Sequence, residues 1–296
     1  MNGPTAPSPW LPTAPCTPGR CTAHPHTGGD HRAVGAVLAV LRLAAGTGTV
    51  LLGLLLAPGT VLLPPAARLA LVRSWVRAVV RAFGVRVRYA GAAPAEGPLL
   101  IVANHVSWLD IPLVAAVLPG RMVAKAEVRG WPVLGVLAAL GGTLFLDRDG
   151  LRALPGAVRA IAGVLGAGGR VVVFPEGSTW CGRAGGRFRP AAFQAALDAG
   201  ADIQPVRIDY RPAGAAAYVG DDPLGASLWR VVTTRRLTAE VRLPERIPAA
   251  RHPDRKSLAA AAQRAIASDS ANLPAPSVHQ RSRSRSASAS SARTPA

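Results

Sequence analysis

Short apolar runs of strand length recur through the middle of the chain, each bounded by glycine, proline or arginine. Val85 to Tyr89, Pro98 to Ala103, Arg121 to Lys125, Thr143 to Asp147, Arg170 to Phe174, Ile203 to Ile208 and Ala239 to Leu243 predict strands. Between them, Ile111–Leu118, Trp131–Leu140, Leu151–Leu165 and Ala191–Ala199 predict helices, with Gly141-Gly142, Gly166 and Gly200 as natural stops. Lys256 to Ala267 predicts one more. Strands alternating with helices give an α/β fold: a mixed, mostly parallel sheet flanked by helices. No internal repeat is evident.

The sequence ahead of the sheet has a different pattern. Leu43 to Leu63 is uncharged and mostly apolar, as long as the ~20 residues a bilayer span needs. Gly46, Gly48, Gly53 and the Pro58-Gly59 pair weaken a straight helix there. A transmembrane or re-entrant helix and a helix lying in the interface both fit. Ala66 to Phe83 follows as an amphipathic helix, with Arg73, Arg77 and Arg81 on one side and Val72, Trp75, Val76, Val79 and Phe83 on the other. That pattern suits a membrane surface, and equally a helix covering a core. The expected organisation is therefore a disordered N-terminus (1–32), membrane-associated helices (33–84), a catalytic domain (85–269) and a basic disordered tail (270–296).

Composition adds a strong charge bias. The 296 residues carry a formal charge of +18, which favours anionic partners such as a membrane face or nucleic acid. Nearly all of it is arginine; Lys125 and Lys256 are the only lysines. The tail includes Gln280-Arg281-Ser282-Arg283-Ser284-Arg285 but lacks aromatic stacking platforms, so nucleic acid is not an expected partner. Cys16, Cys21 and Cys181 suggest no disulfide framework. Cys16-x4-Cys21 followed by His24, His26 and His31 is drawable as a metal site. Its Pro/Gly/Thr-rich setting argues for disorder instead, and Cys181 reads as a small surface or wall residue.

The candidate chemistry sits at Asn104-His105-Val106-Ser107-Trp108-Leu109-Asp110. It lies where a buried strand turns into a helix, the place where open α/β sheets keep their sites. His105 is the only histidine between His31 and His252. Imidazole is suited to general base catalysis near neutral pH, and a carboxylate five residues on is placed to orient it. On these residues alone, Ser107 as an N-cap and Asp110 as an acid facing the helix dipole account for the same letters.

His105-x4-Asp110 with the preceding Asn104 resembles the first motif of the glycerolipid acyltransferases, the group that includes bacterial lysophosphatidic acid acyltransferases. Further blocks follow in that family's order. They are Lys125-Ala126-Glu127 with Trp131-Pro132 and Gly135, then Gly142 to Arg148, Val173 to Thr179, and Ile203-Gln204-Pro205-Val206. The resemblance implies acyl transfer from acyl-CoA or acyl carrier protein to the hydroxyl of a lysophospholipid, with His105 as base and Asp110 orienting it. It implies acceptor binding by Arg148 and Lys125, with Asn104, Glu176, Gly177 and Ser178 also contacting substrate. Backbone N–H groups near Glu176-Gly177-Ser178 are oxyanion donors in this reading. Glu176 is either a substrate-positioning carboxylate, the preferred reading, or an arginine partner. Neither metal nor bound cofactor is implied. The expected location is the cell membrane, with the active site facing the cytoplasm. Two departures bear on the acceptor. Thr179 stands where many relatives have arginine, and Phe188-Arg189-Pro190-Ala191 replaces a Phe-Lys-x-Gly block. Lyso-ornithine lipid and other lysolipids are therefore alternative acceptors.

Overall fold

The computed structural model describes residues 13–22, 34–93, 97–147 and 151–268. In chain order the elements begin with a short turn of helix α1 (Pro18–Cys21), then α2 (Ala36–Leu56), α3 (Pro65–Ala82), β1 (Arg86–Ala90), β2 (Leu99–Ala103) and α4 (Asp110–Ala115). Next come β3 (Arg121–Lys125), α5 (Leu134–Leu140), β4 (Leu144–Leu146), α6 (Leu154–Gly166) and β5 (Arg170–Val173). The chain continues through α7 (Ala191–Ala199), β6 (Asp202–Arg211), α8 (Ala213–Ala216), α9 (Leu224–Thr233), β7 (Thr238–Arg242) and α10 (Arg255–Ser268).

The seven strands form one sheet in the order β1-β7-β6-β2-β5-β3-β4. β6, β2, β5, β3 and β4 run parallel; β7 is antiparallel to β6, and β1 is parallel to β7. Central β2 is buried along its whole length, which is why it reads as an unbroken apolar run rather than an alternation. Its residues alternate between two cores. Leu99, Ile101 and Ala103 share one with Val80 and Phe83 of the α3 end, Leu113 of α4 and Val231 of α9. Leu100 and Val102 share the other with Ile161 of α6, Phe193 of α7 and Leu258 of α10. This layering sets the C-terminal ends of β2, β5, β3 and β4 along one edge of the sheet.

The N-terminal helices are built into this body. α2 begins before the uncharged stretch and includes Arg42, whose guanidinium donates to the Val232 and Thr234 carbonyls at the end of α9. Gly46 and Gly53 let α2 approach aromatic rings: a Cβ there would lie 2.4 Å from the Phe83 ring and 2.2 Å from that of Trp75. The amphipathic α3 also departs from a free basic face. Arg73 and Arg77 donate to the Val117 and Ala116 carbonyls just past α4, satisfying the open end of that helix. Apolar surface is nonetheless left over. The helical stretch Ala36–Leu62 is long and apolar enough to cross a membrane, and only 11% of its most apolar window is buried.

Two expectations are corrected. Residues 13–22, placed in a disordered N-terminus, form a packed segment with Cys16 and Cys21 in the core; Cys181 is buried as well. The reason is tertiary: the segment's backbone lies against glycines at 214 and 220, which a local composition argument does not see. α8 and α9 occupy a stretch where no element was expected. The tail after Ser268, together with His24, His26 and His31, lies outside the described residues.

Candidate active site

The turn after β2 is held by one buried carboxylate. Asp110 is fully buried at the start of α4. Its Oδ2 accepts from His105 Nδ1 at 2.8 Å and from the backbone N–H groups of Val106 at 2.6 Å and Ser107 at 2.9 Å. Its Oδ1 accepts from the Tyr210 hydroxyl at 2.6 Å. A buried charge is tolerable only when its lone pairs are satisfied, and four donors do this here. The loop wraps its own amides around the side chain three and four residues later. The helix-start reading and the catalytic reading are thus both met by the same residue.

The contact with Asp110 assigns the Nδ1 proton of the neutral ring to the carboxylate, leaving Nε2 as the basic nitrogen. Among the described residues Nε2 has no hydrogen-bond partner. The His105 side chain keeps about 20% of its surface exposed, so the base faces outward while its partner faces inward. Phe174 stacks on the imidazole with centroids 4.1 Å apart and planes 19° from parallel. The ring is therefore fixed by a hydrogen bond at one edge and an aromatic face at its side.

The loop after β5 completes the arrangement. Glu176 Oε2 accepts from the His105 backbone N–H at 2.8 Å, and Oε1 from the Gly186 N–H at 2.9 Å. The Trp180 N–H returns a bond to the His105 carbonyl at 2.7 Å. Burial pushes the Glu176 carboxyl up to about 8, against the pull of its two backbone donors. Gly177 takes a left-handed conformation, φ 74°, that suits glycine, and its N–H bonds the Phe174 carbonyl. Burial, and then the Asp110 charge, raise the Tyr210 phenol well above its ordinary value, so it stays a donor.

The remaining expected residues divide. His105, Asp110, Glu176, Gly177 and Ser178 meet at this edge. Glu176 was read as substrate-positioning, but both its oxygens are committed to backbone amides, so it positions the His105 turn. Asn104 was read as a substrate contact; its amide instead spans to β6, donating to the Ile208 carbonyl and accepting from the Ile208 N–H, each at 2.8 Å. In both cases a backbone amide beside the end of β2, that of Ile208 or of His105, gains a partner the sheet no longer supplies. Lys125 ends β3, exposed, on the same edge. Arg148 lies outside the described residues. Tyr210 and Phe174 were given no role from the sequence. The signal for Tyr210 was the period-two run Val206, Ile208, Tyr210, which carries β6 beyond its expected end.

The chain is similar in sequence and fold to known proteins. A family model described as Acyltransferase matches residues 84–209. The lyso-ornithine lipid O-acyltransferase of Pseudomonas aeruginosa is 39% identical over 244 residues, covering 77% of this chain and 91% of that protein. The 1-acyl-sn-glycerol-3-phosphate acyltransferase of Neisseria meningitidis serogroup B is 35% identical over 207 residues, covering 67% and 80%. The crystal structure of the 1-acyl-sn-glycerophosphate (LPA) acyltransferase PlsC from Thermotoga maritima shares the fold. Its TM-score is 0.61 at 21% identity, covering 78% of this chain and 92% of that one. Likeness at 39% identity over 91% of a curated acyltransferase, together with the family model, places the chain in the acyltransferase family.

Proposed function

We propose that this acyltransferase esterifies the sn-2 hydroxyl of 1-acyl-glycerol 3-phosphate, forming phosphatidate, with acyl-CoA or acyl carrier protein as donor. The observation that carries the acyl-transfer chemistry is the His105–Asp110 pair: a buried, fully bonded carboxylate behind an imidazole whose other nitrogen is open. His105 Nε2 takes the acceptor hydroxyl proton as the oxygen attacks the thioester carbonyl. The new C–O bond forms, the C–S bond breaks, and the proton passes from the imidazolium to the leaving thiolate. Asp110 holds the ring and stabilises its charged form. The Gly177 N–H is already bonded, whereas among the described residues the Ser178 N–H is not, which favours Ser178 as an oxyanion donor. The thioester supplies the driving force, and the reading calls for neither metal nor cofactor in the transfer step.

Lys125, exposed on the active edge, supplies positive charge for a phosphate headgroup in this reading. A second acceptor, lyso-ornithine lipid, is favoured by the 39% identical relative and by Thr179 at a position where an arginine is common. The protein is read as seated in the cell membrane, its active site facing the cytoplasm. The support is the exposed apolar side chains of Leu51, Leu52, Leu55, Leu56, Val61 and Leu62, which water does not favour.

The deciding experiment supplies acyl thioester to membranes holding the wild type or His105→Ala, with lysophosphatidate or lyso-ornithine lipid offered separately. Phosphatidate from wild type and none from the variant is the expected result. Turnover only with lyso-ornithine lipid moves the acceptor. Equal turnover by His105→Ala sinks the mechanism.

A further inference from the structure

Cys16 and Cys21 stand about 160 residues before Cys181 in sequence, and the three converge in the fold. Their sulfur atoms all lie within 4.8 Å of one another, and each residue is 1–2% exposed. Cys16 and Cys21 come from the N-terminal segment, Cys181 from the loop that carries Trp180. The N-terminal segment is seated by close backbone approach to the stretch between β6 and α9. A Cβ at Gly214 would lie 2.9 Å from the Cys21 carbonyl oxygen, and one at Gly220 3.2 Å from that of Cys16.

Backbone amides line part of the cluster. The backbone N–H groups of Arg183 and Ala184, two and three residues past Cys181, donate to its sulfur. The Thr17 N–H donates to the Cys21 sulfur. Such amides stabilise thiolate, and a thiolate is what binds metal. Around a tetrahedral zinc, with Zn–S of about 2.3 Å, sulfurs stand about 3.8 Å apart, a spacing these three atoms reach with small shifts.

We propose that Cys16, Cys21 and Cys181 are three ligands of a thiolate site for a soft or borderline divalent cation, zinc foremost, that clips the N-terminal segment to the active-site loop. Binding sends the three thiol protons to solvent. Three thiolates and one dication leave a single negative charge, which the Arg183, Ala184 and Thr17 amides offset. The fourth corner takes water or another donor. The metal is structural here. Cys181 follows Trp180, whose N–H bonds the His105 carbonyl, so the clip steadies the backbone of the base without touching the reacting atoms.

The test uses the full chain, purified reduced in detergent without added metal or chelator. Elemental analysis is expected to find about one zinc per chain. Removing it and adding cobalt(II) is expected to give thiolate-to-cobalt charge-transfer absorption. That absorption is expected to weaken sharply in Cys16→Ser, Cys21→Ser and Cys181→Ser. Should the variants fail to fold, the zinc content and cobalt spectrum of the wild type stand on their own. Folded, reduced protein with under about 0.1 zinc per chain and no charge-transfer band overturns the proposal. So does a disulfide between any two of the three in a parallel preparation made without reductant.

Discussion

Asp110→Asn separates the orienting role of the carboxylate from its charge. In the structure the side chain accepts four bonds, three at Oδ2 and one at Oδ1. Asparagine keeps the shape. With its oxygen at the Oδ2 position it still accepts from His105, Val106 and Ser107, and its NH2 faces Tyr210, whose hydroxyl then accepts. The turn is therefore expected to survive. Bonds to a charged acceptor contribute about 1.5–3 kcal/mol and neutral ones about 0.5–1.5, but an amide costs less to bury than a carboxylate. The net loss of stability is ~1–3 kcal/mol. Activity is expected to suffer more, because an imidazolium behind a neutral amide loses its counter-charge. The comparable change in serine protease triads costs about 10⁴-fold. A fall in kcat/KM of roughly 10³–10⁴-fold, ~4–5 kcal/mol, is expected here. The assay is thiol release from acyl thioester in the presence of lysolipid, run beside thermal unfolding. A variant folded like wild type and within tenfold of its activity would show that Asp110 is a helix-start residue and no more.

Three further perturbations probe the supporting shell. Tyr210→Phe leaves Asp110 Oδ1 without its donor; a cost of ~1–3 kcal/mol in unfolding and a drop in kcat with little change in KM are expected, and unchanged values would remove Tyr210 from the site. Glu176 tests linkage. Its folded carboxyl, raised to about 8, holds a proton that the unfolded chain has released above about 4.5, so stability should fall as pH rises between these values. The slope from this group is at most ~1.4 kcal/mol per pH unit; Glu176→Gln should lose it, and an identical pH profile by thermal unfolding would refute the assignment. Gly53→Ala places a methyl in the Trp75 ring and should cost about 1–3 kcal/mol by overpacking, measured in detergent; a neutral result would mean α2 and α3 do not pack as described.

The sheet was legible because its signal is local. Each strand is a short apolar run ended by a turn residue, and β3 and α7 fall at their expected bounds. The His105–Asp110 pair was legible for the same reason, five residues apart in one turn. What was not legible depends on neighbours distant in sequence. Tyr210 reaches Asp110 because β6 lies beside β2, an adjacency that no run of letters encodes. Asn104 and Glu176 carry the chemistry of ligand-binding groups, yet they bond backbone amides exposed where strands end. The arginines of α3 looked like a membrane face, but the α4 carbonyls that engage two of them belong to another element. Composition misjudged residues 13–22 because Pro, Thr and Gly report local flexibility, whereas burial there rests on residues some 200 positions later.

The two loops at the active edge form one mechanical unit. Glu176 ties the His105 N–H to the Gly186 N–H, and Trp180 ties the His105 carbonyl back to the β5 loop. The peptide groups on both sides of His105 are thus held by a loop that leaves a different strand. Asp110 and Phe174 then fix the ring from within the turn and from that same loop. Proton transfer requires the base nitrogen in a narrow place, and a misplacement of about 1 Å can cost 10²-fold. The buried carboxylates of Asp110 and Glu176 therefore converge on the orientation of His105, while its Nε2 is left to the substrate. It follows that substitutions in the β5 loop should lower kcat by displacing His105 even where they touch no lipid. On the proposed function the acceptor headgroup is instead read by Lys125, exposed on the same edge.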